Sequence, residues 1–152
     1  MKTKILIVGK NNCGKTSLLK CINPNDIVYT EFANNFVGKT AKLDNVIYIS
    51  LDIDKLVLKR GKQFLEQTNK IIVVIDTTDT VELKFYRYRL EKYFGKDHKL
   101  LIFCNKKDMD SSIGTDDIIR ILNLDNSSFE WKIQDSIFPT KQGVYEGLEY
   151  FK

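Results

Sequence analysis

Gly9-Lys10-Asn11-Asn12-Cys13-Gly14-Lys15-Thr16 decides the fold of this chain. A glycine, four free positions, a second glycine, a lysine and a threonine make the pattern of a phosphate-binding P-loop. Its context fits: Lys4-Ile5-Leu6-Ile7-Val8 reads as a buried strand before it, and Thr16 to Cys21 opens a helix after it. Backbone N–H groups of residues 11 to 16 can then wrap a phosphate, with the positive end of the helix behind them. Asn11, Asn12, Cys13, Gly14, Lys15, Thr16 and Ser17 are the phosphate-binding candidates. Lys15 brings charge to the β- and γ-phosphates, and the Thr16 hydroxyl suits Mg²⁺.

A second string selects the base. Leu100-Leu101-Ile102-Phe103-Cys104 reads as another buried strand, and Asn105-Lys106-Lys107-Asp108 follows at its C-terminal end, where open α/β sheets bind ligands. The Asp108 carboxylate can accept from the N1 and N2 hydrogens of guanine, which adenine does not offer. Asn105 would tie this loop to the P-loop, and the Lys106 stem would lie along the base. An ATP-dependent phosphotransferase using the same P-loop is disfavoured by this string, and ATP affinity would revive it.

Between the two strings the chain alternates. A loop runs from Pro24 to Asn35, and strands follow near Val37 to Leu43 and Val46 to Leu51, joined by an Asp44-Asn45 hairpin turn. Lys55 to Asn69 reads as loop then helix, and Ile71 to Ile75 as a buried strand. Thr80 to Phe94 carries Leu83, Tyr86, Leu90 and Phe94 at helical spacing. Asp116 to Leu122 is a shorter helix, Lys132 to Ile137 the last strand and Val144 to Phe151 the last helix. The fold class is α/β: a mostly parallel six-stranded sheet with helices on both faces, of the P-loop nucleotide-hydrolase type.

Composition bounds the rest. At 152 residues and 43% hydrophobic content, residues 1–152 form a single nucleotide-binding domain with one core. There is no apolar stretch long enough to span a membrane. Cys13, Cys21 and Cys104 read as reduced thiols rather than a disulfide framework. The net charge of +4 comes from lysines scattered among acids, a solvated surface and not a nucleic-acid patch.

These strings resemble the small GTPases of the Ras superfamily, and the tail narrows the resemblance. Trp131-Lys132-Ile133-Gln134, followed by Gly143-Val144-Tyr145-Glu146-Gly147-Leu148-Glu149-Tyr150, is similar to the end of an ADP-ribosylation factor. The resemblance implies GDP or GTP as ligand, with Mg²⁺ held by Thr16 and, through water, by Asp52. It also implies that the backbone N–H of Phe138 meets the guanine O6. The switch motifs are degenerate. Lys55 stands where the family has the glycine that meets the γ-phosphate, and Leu56 where it has the glutamine that orients water. Ala33 stands where a switch threonine is expected, with Thr30 and Thr40 as nearby substitutes. Asn11 would sit close to the γ-phosphate.

The reading is therefore an ADP-ribosylation-factor-like GTP-binding protein of membrane traffic, with weak or partner-dependent hydrolysis and no confident catalytic residue. The alternative is a non-enzymatic interaction subunit stabilised by bound nucleotide, similar to the β subunit of the signal recognition particle receptor. Phe36, Leu51 and Phe64 match the family's effector-binding aromatic cluster and are the expected protein-binding surface, with core residues of a half-buried sheet as the alternative reading. No lipid anchor is read, since Lys2 stands at the position of the family's myristoylated glycine and the C-terminus carries no prenylation motif. A cytoplasmic monomer, recruited to membranes through a partner, is the expectation.

Overall fold

The computed structural model describes residues 3–33 and 36–152. The expectation on Lys2, the loop's end at Asn35 and the side chain of Ala33 lie outside the described residues. In chain order the strands are β1 (Thr3–Gly9), β2 (Val28–Ala33), β3 (Phe36–Leu43), β4 (Val46–Asp52), β5 (Lys70–Asp76), β6 (Lys99–Asn105) and β7 (Glu130–Asp135). The α-helices are α1 (Lys15–Ile22), α2 (Lys59–Gln67), α3 (Thr80–Tyr93), α4 (Thr115–Ile121) and α5 (Val144–Leu148). All the strands join one sheet in the order β2-β3-β4-β1-β5-β6-β7.

The sheet has seven strands where the sequence suggested six. The added one is β2, inside the stretch expected to be loop, pairing antiparallel with β3 through Val28↔Thr40, Tyr29↔Lys39 and Thr30↔Gly38. Val, Tyr and Thr favour an edge strand, but the register shifts between Glu31 and Ala33, which leaves no clean alternation to read. β3 and β4 form the expected hairpin, with Asp44 at φ 55° in its turn. From β4 through β1, β5 and β6 to β7 every pairing is parallel.

Why the strands read as unbroken apolar runs is now clear: they are buried on both faces. Leu6, Val8, Ile71, Val73, Leu100 and Ile102 face one core, covered by Phe64 of α2, Leu83 and Leu90 of α3, and Ile118 of α4. Ile5, Ile7, Ile72, Val74, Leu101 and Phe103 face the other, covered by Leu18 and Leu19 of α1 and Val144 of α5. Asp79 caps α3 by accepting from the Glu82 N–H at 3.1 Å, which fixes where that helix begins. Among the described residues no helix is long and apolar enough to cross a membrane.

Candidate nucleotide-binding site

β1 lies between β4 and β5, and the chain leaves it toward one side and later returns on the other. A crevice opens at the C-terminal ends of strands where the winding reverses in this way. Register brings Gly9 level with Asp52 and Asp76 level with Asn105, so the ends of four strands converge there.

The loop from Gly9 to Gly14 turns tightly into α1. Gly14 sits at φ 117°, and a Cβ there would collide with the Asn105 amide and lie 3.0 Å from the Phe138 ring. No side chain caps α1, so its first N–H groups remain available at the cleft. Lys15 is anchored by donating to the Gly9 and Lys10 carbonyls, each at 2.8 Å. Burial lowers its pKa from the ordinary lysine value. Cys13 is buried beneath the loop, and burial raises its thiol pKa.

The second loop is locked onto the first. Asn105 is buried, its Nδ2 donating to the Cys13 carbonyl at 3.1 Å and its Oδ1 accepting from the Phe138 N–H at 3.2 Å. Lys106, at φ 65°, donates to the Asn12 carbonyl at 3.1 Å and to Asp76 Oδ2 at 2.7 Å. Burial alone would raise the Asp76 pKa, but Lys106 and Thr78 donate to its carboxylate and hold it below the ordinary value. Asp76 is a site residue that sequence reasoning missed; its one signal was an aspartate ending the apolar run of β5. Between the loops lies a cleft of about 610 Å³, lined by Asn12, Lys15, Thr16, Asn105, Lys106 and Asp108 among others. Asp108 is exposed in its wall.

The Phe138 ring is buried, meeting Phe103 edge-on with centroids 5.4 Å apart, and its N–H donates to Asn105 Oδ1. Ile137 and Pro139 line the cleft in its stead.

A second cleft of about 590 Å³ adjoins the P-loop on the β3–β4 side, with Asn11, Lys15, Thr16, Lys39, Asp52 and Lys55 in its walls. Lys55 belongs to the 3₁₀ turn Ile53–Val57, capped by Asp52, whose carboxylate accepts from the Asp54 N–H at 2.9 Å. Asp54 then accepts from Lys10 Nζ at 2.7 Å and from Arg89 Nε at 2.9 Å, while Arg89 also pairs with Glu82 at 2.8 Å. The partial burial of Asp54 works toward a higher pKa, and the two cations outweigh it, so its carboxyl lies below the ordinary range. Leu56 is fully buried in the core. Tyr86 adds a further strut from α3: its hydroxyl accepts from the Lys10 N–H at 2.8 Å and donates to the Val74 carbonyl at 3.2 Å. Thr30 and Thr40 lie within β2 and β3.

The profile of the ADP-ribosylation factor family matches residues 1–152, the whole chain. This chain belongs to the ADP-ribosylation factor family. It is 28% identical to ADP-ribosylation factor-like protein 3 of Chlamydomonas reinhardtii, over 98% of this chain and 88% of that protein. It is 26% identical to ADP-ribosylation factor K of Dictyostelium discoideum, over 97% and 82%. To human ADP-ribosylation factor-like protein 5A it is 28% identical, over 97% and 86%. The family consists of small GTP-binding proteins, so this member carries their P-loop GTPase fold.

Two family features depart from expectation in this ADP-ribosylation factor-family chain. Phe36, Leu51 and Phe64 do not offer a surface: they are 3%, 2% and 4% exposed, and the Phe36 and Phe64 rings stack at 6.0 Å. They belong to the core between the sheet and α2. The second departure is at the metal position. Mg²⁺ is typical of the family, with Thr16 and Asp52 the residues expected to hold it. Here the Thr16 hydroxyl accepts from Lys39 Nζ at 2.7 Å, and Asp52 has Lys10 Nζ 3.8 Å away. A divalent cation between those oxygens would face two ammonium groups, so the donor set in this arrangement does not fit it.

Proposed function

We propose that residues 1–152 form a single monomeric domain that binds GDP or GTP in the cleft between the P-loop and the Asn105–Asp108 loop. The observation that carries this reading is the lock between the loops, in which Asn105 holds the Cys13 carbonyl and Lys106 the Asn12 carbonyl. A base-reading loop fastened to a phosphate loop presents both recognition elements in one rigid geometry, which lowers the ordering cost of binding. Asn11 to Ser17 would surround the phosphates, with Lys15 supplying charge. Asp108 would read guanine, Asn105 would orient the loop, and Lys106 would flank the base. The Phe138 N–H would reach the guanine O6 only after release from Asn105, so the polar edge of the base depends first on Asp108.

Hydrolysis is slow or needs a partner, because Leu56 carries no group that can orient water and lies in the core. The domain acts in the cytoplasm as a regulator of membrane traffic and reaches membranes through a protein partner. One observation favours a second reading, a non-enzymatic interaction subunit stabilised by nucleotide: Lys10 and Arg89 clamp Asp54 and so hold the turn that a switch would have to move.

Calorimetric titration of nucleotide-free protein with GDP, a non-hydrolysable GTP analogue and ATP tests both. Binding of the guanine nucleotides with ATP silent is the expected result, and equal binding of ATP would overturn the guanine assignment. A clear difference between GDP and the GTP analogue would favour the switch. Equal affinities would favour the held-nucleotide subunit, since ligands without differential affinity shift no conformational equilibrium.

A further inference from the structure

We propose that Lys39 replaces Mg²⁺ in this chain, so that guanine nucleotide is held by protein cations and needs no divalent ion. The inference rests on the guanine-nucleotide reading above. Its first support is the 2.7 Å hydrogen bond from Lys39 Nζ to Thr16 Oγ1, the oxygen expected to ligate the metal. Charge-assisted bonds of this length are among the stronger ones.

Lys39 is also fixed from below. It lies in β3 with strands on both sides, opposite Tyr29 of β2 and Ser50 of β4, so its Cα is held by two antiparallel pairings. Its ammonium stands 5.0 Å over the Tyr29 ring, a cation–π contact that orients the side chain. An ammonium on a fixed strand differs from a lysine on a free loop, because little further ordering is required to meet a ligand.

The second metal residue is engaged in a parallel way. Asp52 spends one carboxylate oxygen on capping the Ile53–Val57 turn, with Lys10 3.8 Å from the same oxygen. The charge of the surrounding cleft agrees: Lys15, Lys39 and Lys55 line it against a single acid, Asp52, leaving two net positive charges. A cleft of that sign repels a divalent cation and draws a polyphosphate.

The test compares GDP binding to the full chain in Mg²⁺ and in excess chelator, read as Kd and as the dissociation rate of a fluorescent GDP analogue. Wild type should give the same values in both buffers. A wild-type dissociation rate that rises tenfold or more on chelation would overturn the proposal. Lys39→Met should weaken GDP in chelator by about tenfold, the scale of one hydrogen bond to a charged group. Lys39→Glu, which places an acid beside Thr16, should make the affinity depend on Mg²⁺. Wild-type affinity for Lys39→Met in chelator would also overturn the proposal. The wild-type comparison needs no variant to fold. Absence of GDP binding in both buffers would overturn the guanine reading, and this inference with it, whereas tight binding that requires Mg²⁺ would overturn this inference alone.

Discussion

Arg89 Nε donates to Asp54 Oδ1 at 2.9 Å, tying helix α3 to the turn that follows β4. The turn carries Lys55 and Leu56, where the resemblance leads one to expect the γ-phosphate-reading residues, and it is held by a chain of ions from Lys10 through Asp54 and Arg89 to Glu82. Arg89→Ala should release it. Because the Asp54 side chain is 47% exposed, the stability loss should stay near 1 kcal/mol or below. The larger effect should be local: faster amide hydrogen exchange from Asp54 to Leu58 without a matching change in β5. Unchanged exchange there would mean that apolar burial of Ile53 and Leu56 holds the turn by itself.

Leu56→Gln would place an amide where the resemblance leads one to expect it, and in a loop open to the cleft it should speed GTP cleavage. Leu56 is fully buried, so the substituted amide would enter an apolar core. Leaving its polar atoms unpaired costs about 1–3 kcal/mol. The expected outcome is a lower denaturation midpoint and no gain in single-turnover cleavage. A clear gain would show that the turn opens when nucleotide binds.

The parallel part of the sheet was legible because β1, β5 and β6 are buried on both faces, and burial of that kind writes an unbroken apolar run. That Gly9–Thr16 and Asn105–Asp108 each follow a buried strand was legible for the same reason, the apolar runs before them, whereas their meeting through Asn105 and Lys106 is a finding of the structure. β2 was not legible: an edge strand with a shifted register has one wet side and no strict alternation. Asp76, Lys39 and Arg89 stayed hidden for another reason. Their partners are 30, 23 and 35 residues away, and the sequence carries no local sign of such pairs. Phe36, Leu51 and Phe64 had the right type for an interface, but size and apolarity do not distinguish an exposed cluster from a buried one.

Phe64→Ala tests that distinction. A surface aromatic can be removed with little change in stability, whereas this ring stacks on Phe36 beneath α2. Truncating a buried Phe costs about 3–5 kcal/mol. Urea denaturation should show a loss of that order, and a loss below about 1 kcal/mol would return the cluster to the surface.

Asp76 should shape the acid limb of stability. Its folded pKa lies below the ordinary value of 3.8, so the stabilisation it supplies is complete above that value and disappears as pH falls through the lower folded one. Asp76→Asn should therefore be less stable than wild type at pH 7, and the two should converge as pH falls below the ordinary carboxylate value of 3.8. Parallel urea titrations across that range measure it. A difference that persists undiminished at the acid end would mean that the Lys106 charge is not what stabilises the carboxylate.

Asp108→Ala separates fold from recognition. The residue is exposed and follows β6 by three positions, so its loss should leave the thermal midpoint within about a degree or two of wild type. Binding should change much more. Two hydrogen bonds from guanine to a carboxylate would be lost, which at the strength of charged hydrogen bonds weakens GDP by roughly a hundredfold or more. ATP makes neither bond, so its weak affinity should stay where it was and the ratio between the two nucleotides should collapse toward one. A GDP affinity that survives the substitution would move base recognition away from this loop, to the Ile137 and Pro139 wall on the other side of the cleft.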